Sequence, residues 1–162
     1  MSMLLSLATA MSLSLVPDRL ILTTGSRHIN MNGFYHDFRF HPFREKNPGI
    51  GLVYENRAGG LDYTIGTYRG SYRQCATFAH VSKMFPVLGE GPWAIHAGPF
   101  IGIAHYGQDA QFIESRIGNS SFVGIAGLQF RSGPFFLTAT PMPNAAGKPA
   151  LLVGFGLSTP LN

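Results

Sequence analysis

Charge is scarce in this chain. Twelve Lys and Arg and eight Asp and Glu make up 12% of its 162 residues, about half the usual share for a soluble domain. The net charge of +4 is too small to argue for a nucleic-acid partner, and the basic residues form no helical stripe. Cysteine is nearly missing. The single Cys75 excludes an internal disulfide. It falls in a predicted strand and reads as a small packed side chain, because a catalytic thiol needs an activating neighbour that the sequence does not identify. Long hydrophobic runs are missing too. Beyond the N-terminus no 18 apolar residues run together, which argues against a transmembrane helix. A membrane protein without such a helix has to be a closed barrel, the form in which every backbone polar group is paired.

What is present is glycine, 20 residues, and aromatic side chains at 12%. Eight short segments alternate between apolar and small or polar residues, with Gly, Pro or Asn breaks between them. In one of them Trp93, Ile95, Ala97, Pro99, Ile101 and Ile103 share a face. Ala94, His96, Gly98, Phe100, Gly102 and Ala104 share the other. Bulky groups on one face and mostly small ones opposite suit a narrow barrel with an apolar exterior. The expected fold is all-β, an eight-stranded antiparallel up-and-down β-barrel, in one domain over residues 17–162. Residues 1–16 read as a signal peptide or a retained N-terminal helix: they are apolar with Ser, Thr and Ala, and Ala8-Thr9-Ala10 imitates a cleavage site.

The predicted strands are Leu20 to Asn30, Gly49 to Glu55, Leu61 to Arg69, Ser71 to Ser82, Trp93 to Tyr106, Ser121 to Phe130, Phe135 to Thr140 and Pro149 to Ser158. Residues 31–48 read as a long loop, packed or at an interface because of Phe34, Tyr35, Phe38, Phe40 and Phe43. Long loops at 31–48 and 107–120, with a connection at 70, are expected on one rim. Short turns at 56–60, 85–92 and 132–134 fall on the other, with Ala58-Gly59-Gly60 supplying positive φ. Pro48, Pro99, Pro141 and Pro143 mark strand ends and bulges, or gaps through which a lipid chain enters sideways.

Three stretches carry a resemblance: Ser26-Arg27-His28; Arg44-Glu45-Lys46-Asn47-Pro48-Gly49-Ile50-Gly51-Leu52; and Tyr68-Arg69-Gly70-Ser71-Tyr72-Arg73. Ile125 to Phe130, Gly133 to Thr138 and Pro141-Met142-Pro143 extend it. In order and spacing, residues 20–145 resemble the lipid A palmitoyltransferase (PagP-type) superfamily, which includes many phage and bacterial relatives. The resemblance implies an outer-membrane barrel with an apolar interior pocket that measures an acyl chain. It implies transfer of that chain from phospholipid to the lipid A of lipopolysaccharide. The implied partners are phospholipid, lipopolysaccharide and the membrane; no cofactor is implied, and the barrel is expected to act as a monomer. The family's active residues are a His at the end of strand one and an adjacent Asp-Ser pair after strand three. His28 matches the His and Ser71 the Ser, whereas Gly70 stands where the family has Asp.

Acyl transfer needs a base or nucleophile, an oxyanion stabiliser and a group that orients the base. His28 suits the base and Ser71 the oxyanion donor or nucleophile. A missing carboxylate leaves the imidazole tautomer unfixed; Asp37 or Glu45 in the nearby loop is a candidate substitute. Other constellations are weaker. His28, His36 and His41 with Asp37 have metal-ligand types but no recognised spacing, so no metal is expected. Arg39, Arg44 and Lys46 suit lipid phosphates or a solvated rim. Gly49-Ile50-Gly51 precedes no helix and is not a dinucleotide signature. Trp93, Tyr106 and Tyr54 suit an interfacial belt or ordinary packing. Three readings follow: an acyltransferase-like outer-membrane barrel; a non-catalytic barrel of the same fold, of phage or bacterial origin and even a virion component, that binds lipid or a surface partner; and a soluble lipocalin-like barrel.

Overall fold

The computed structural model describes residues 15–36, 38–72, 74–108, 122–142 and 149–161. The chain forms a closed, eight-stranded antiparallel β-barrel. Its wall strands are β1 (Arg19–Ile29), β4 (Gly49–Arg57), β5 (Leu61–Arg69), β6 (Cys75–Ser82), β8 (Ile95–His105), β9 (Phe122–Ser132), β10 (Phe135–Met142) and β11 (Ala150–Pro160). They follow one another around the ring in sequence order, and two pairings close it: β1 with β11, and β6 with β8. Closure leaves no open sheet edge in the wall. Two short elements lie between β1 and β4, the hairpin β2 (Gly33–His36) and β3 (Arg39–Pro42). A further short strand, β7 (Phe85–Leu88), pairs with the start of β8.

The connections after β1, β5, β8 and β10 lie at one end, here called the loop end. Those after β4, β6 and β9 lie at the other, the turn end. The turn before β5 runs through Gly59 at φ 74° and Gly60 at φ 66°, the left-handed conformation expected there. Three expectations need correction. The 31–48 segment is not loop throughout, because Phe38 turns at φ 60° and lets its flanks pair as a hairpin. Residues 85–92 are not all turn: Phe85 and Pro86 pair with Ala97 and His96, and a short 3-10 turn, Gly91–Trp93, follows. Finally, β6 begins at Cys75 rather than Ser71, because Gly70 N–H donates to the Gln74 carbonyl at 2.7 Å and turns the chain first. Residues 1–14, where a leader or helix is expected, and most of the 107–120 loop lie outside the described residues.

Strand alternation sorts the side chains. Along β8, Ile101 is 68% exposed and Ile103 is exposed, while Phe100 and Ala104 are buried. The same division places Leu22, Ile50, Ile65, Leu128, Leu137 and Phe155 outside. Ile21, Val53 and Phe136, with Phe78 against them, form the apolar interior. Cys75, expected to be packed, is exposed.

β1 does not alternate evenly. Thr23 pairs with Gly156, but Gly25 pairs with Phe155, so Thr24 is an extra residue in a β-bulge. Ile21 and Thr23 face the interior below the bulge, and Ser26 and His28 face it above. Without that slip the odd-numbered residues would continue inward and Arg27 would occupy the lumen. The bulge also brings the following loop close: Ser26 N–H donates to the Glu45 carbonyl at 2.8 Å. A Cβ on Gly25 would stand 2.7 Å from that same carbonyl oxygen, so the approach requires glycine.

The turn end is filled by charge. In an eight-membered ring β4 and β9 lie opposite each other, and Glu55 of β4 meets Arg131 of β9 in an ion pair across the bore. Arg19 lies 4.0 Å from Glu55 and donates to the Ser158 hydroxyl at 2.7 Å. Beside this cluster, Arg57 pairs with Asp18 at 2.7 Å.

Candidate functional site at the loop end of the bore

A cavity of about 160 Å³ runs from the middle of the barrel, at Ile21, Val53 and Phe136, to the loop end, at His28, Phe43, Ser71 and Tyr72. Its lower wall is mainly apolar, with Phe78 and Phe100 lining it beside Thr64, His80 and Gln129. Among buried polar atoms, His80 Nε2 and Gln129 Oε1 have no hydrogen-bond partner. The His80 ring is held between Phe78, stacked at 5.8 Å, and Phe100, tilted at 5.2 Å.

Polar groups concentrate at the mouth. The segment before β4 is pinned by its backbone. Arg44 N–H donates to the Ser71 carbonyl at 3.1 Å, Arg69 N–H to the Pro48 carbonyl at 2.9 Å, and the Thr23 hydroxyl to the Asn47 carbonyl at 3.1 Å. Asn47, 5% exposed, is thereby carried into the bore. Its amide Nδ2 donates to Ser26 Oγ at 2.6 Å and to Ser71 Oγ at 3.2 Å. Both serines are buried, and Asn47 Oδ1 is buried without a partner among the described residues.

His28 stands two residues along β1 from Ser26, on the same inward face. Its ring stacks on Phe43 at 4.5 Å between centroids and 13° between planes. Phe43 in turn meets Tyr72 edge-on at 5.5 Å. Among the described residues His28 Nδ1 is buried without a partner. Glu45 is engaged elsewhere, in a 2.8 Å ion pair with Arg27 on the exposed rim. Tyr106 completes the mouth: its hydroxyl lies 2.7 Å from that of Tyr68, and its ring meets Tyr72 edge-on at 6.1 Å. Burial raises the Tyr106 hydroxyl above the ordinary tyrosine range, against a smaller lowering from the Tyr68 hydrogen bond.

The structure therefore brings His28 and Ser71 to one end of one cavity. They are joined indirectly, through Phe43 and Tyr72 on one side and through Ser26 and Asn47 on the other. Gly70, where the resemblance would have an Asp, is buried beside Tyr106 and contributes no carboxylate. Tyr106 does not join an outer belt, because it lines the bore. Trp93 is exposed at the turn end. Of the proposed metal ligands, Asp37 lies outside the described residues. Among the described residues no group of three or more His, Cys, Asp or Glu is placed to hold a metal ion. Arg39 and Lys46 are exposed on the loop-end rim, and Arg44 is half-buried.

Ser26 and Asn47 were not singled out by sequence reasoning. Asn47 sits in Asn-Pro-Gly, which reads as punctuation. The available signal was its place three residues beyond Arg44 in the stretch that carries the family resemblance. No protein-family model matches the chain, and no curated protein matches it in sequence.

Proposed function

We propose that this protein is an outer-membrane barrel that takes a phospholipid acyl chain into its bore and transfers it to a lipopolysaccharide-type acceptor. The observation that carries the reading is the convergence of His28 and Ser71 at the mouth of a largely apolar cavity, inside a wall that is apolar outside. A mainly apolar bore suits a bare hydrocarbon chain by its chemistry, and the ester that ends such a chain would then lie among the polar groups of the mouth. An exposed apolar wall of this extent also favours lipid over water as its surroundings.

His28 is the general base. It accepts the proton of the acceptor hydroxyl as that oxygen attacks the ester carbonyl carbon. The carbonyl oxygen takes up the negative charge and is stabilised by the Ser71 hydroxyl. When the carbonyl reforms, the bond to the glycerol oxygen breaks and the His28 proton passes to that oxygen. One ester is exchanged for another, and a lysophospholipid leaves. Among the described residues no carboxylate is placed to orient the imidazole; stacking on Phe43 fixes the plane of the ring.

Mass spectrometry of lipid A from cells expressing the protein tests the reading. One added acyl chain is expected, and it should disappear in His28→Ala and in Ser71→Ala. Retention of the chain in both variants discards the site. A second reading, a lipid-binding barrel without catalysis, is favoured by one observation: Gly70 replaces the carboxylate while His28 Nδ1 is unpartnered. It predicts an unmodified lipid A spectrum from a barrel that co-purifies with phospholipid.

A further inference from the structure

We infer that Ser26, Asn47 and Ser71 form a two-donor cradle for an ester carbonyl oxygen, with Asn47 as its positioning residue and Ser26 as its second donor. The inference rests on the acyl-ester reading above and names how the ester is held.

An amide nitrogen carries two hydrogens, and Asn47 Nδ2 spends one on each serine oxygen, at 2.6 and 3.2 Å. Each serine oxygen has therefore already accepted a bond. Each hydroxyl keeps its own proton to give, and all three residues line the same cavity. A carbonyl oxygen offers two lone pairs and no proton, which matches two hydroxyl donors fixed by one amide. The Asn47 side chain is not needed to hold its loop, since the neighbouring backbone bonds to Ser26, Ser71 and Pro48 and the Thr23 bond already do so.

A second observation points to a ligand. Asn47 Oδ1 is an acceptor, buried and unpartnered, in a residue only 5% exposed. Buried polar groups are ordinarily satisfied. The missing donor corresponds to the hydroxyl of the acceptor alcohol that acyl transfer requires. The mouth then holds both reactants around one amide, the ester carbonyl on the serines and the attacking hydroxyl on Oδ1. On attack the hydroxyl turns its one proton from Oδ1 to His28, which lies on the same inward face of β1.

The test uses the full chain refolded in maltoside micelles, with the methyl ester of a saturated fatty acid labelled isotopically at its carbonyl carbon. Infrared spectroscopy reads the labelled carbonyl apart from the peptide bonds. The bound ester should absorb at lower frequency than the same ester in empty micelles. Ser26→Ala and Ser71→Ala should each remove part of that shift, and Ser26→Thr, which keeps a hydroxyl, should retain it. Asn47→Asp should remove it altogether, because a carboxylate accepts both serine protons and leaves none for the ligand. Heat-modifiable migration on a gel confirms that each variant is a folded barrel.

An unshifted or unbound ester in the wild-type protein overturns the cradle. So does a shift that survives Asn47→Asp, since it would then not come from the serine hydroxyls. The lipid A spectrum separates this result from the parent reading. An acyl chain added to lipid A without a carbonyl shift removes the cradle and keeps the transfer. A shift without added acyl chain keeps the cradle and removes the transfer.

Discussion

Two phenols meet at the mouth of the bore, and one hydrogen bond joins them at 2.7 Å. Removing one hydroxyl leaves the other buried and unsatisfied, whereas removing both leaves two rings in contact. Tyr68→Phe and Tyr106→Phe should each cost about 1–2 kcal/mol, read as a lowered urea midpoint in micelles. The double variant should cost less than the sum of the two. Additive losses would show that the two hydroxyls act independently. The same scale shows what the sequence withholds. His28 and Ser71 were legible because each belongs to a short stretch with a family likeness. Ser26 was quoted in one of those stretches without a role. Its role depends on Asn47, 21 residues away, which also reaches Ser71, 24 residues away. A contact of that range leaves no periodic trace in a single chain.

The wall strands were legible to within a few residues, because alternation over nine or eleven residues is a long signal, as in β4 and β8. The short elements were not. The hairpin β2–β3 has four residues to a side, and β7 is interrupted by Pro86, which reads as a break. The bulge was invisible for a different reason. Thr23-Thr24-Gly25 contains no bulky residue, so the slip in phase hides among small side chains. Its consequence is testable. In a Cys75→Ser background, His28→Cys should react with a water-soluble thiol reagent through the mouth. Deleting Thr24 straightens β1 and leaves position 28 facing the bore, so the reaction should persist. Deleting Arg27 instead moves position 28 to the outer face, and the reaction should stop while the barrel still migrates as folded. Equal reactivity in both deletions would mean that Thr24 is not the extra residue.

Across the whole molecule, the two ends of the bore differ in kind. The loop end collects neutral polar groups around an open cavity, and the turn end is crossed by the Glu55–Arg131 pair with Arg19 beside it. Glu55 is the acid between two guanidinium groups, so neutralising it leaves two like charges facing each other. Glu55→Gln should therefore lower stability by about 2 kcal/mol, less than for a fully buried pair because its side chain is 29% accessible. Arg131→Gln should cost less, since Glu55 keeps Arg19; equal urea midpoints for the two variants would contradict this. The outer wall makes the larger claim. Ile101 lies midway along β8, pairs with Val81 and Ala126, and is 68% exposed. Ile29 closes β1 at the loop end. In a bilayer the cost of a charge depends on depth. Ile101→Arg should cost roughly 2–4 kcal/mol and Ile29→Arg roughly 0–1 kcal/mol when the protein is refolded into phospholipid vesicles and unfolded with urea. A wall facing water has no depth, so both substitutions would then cost little and equally. That outcome would leave the barrel standing while removing it from the membrane, and the bore would become that of a soluble carrier.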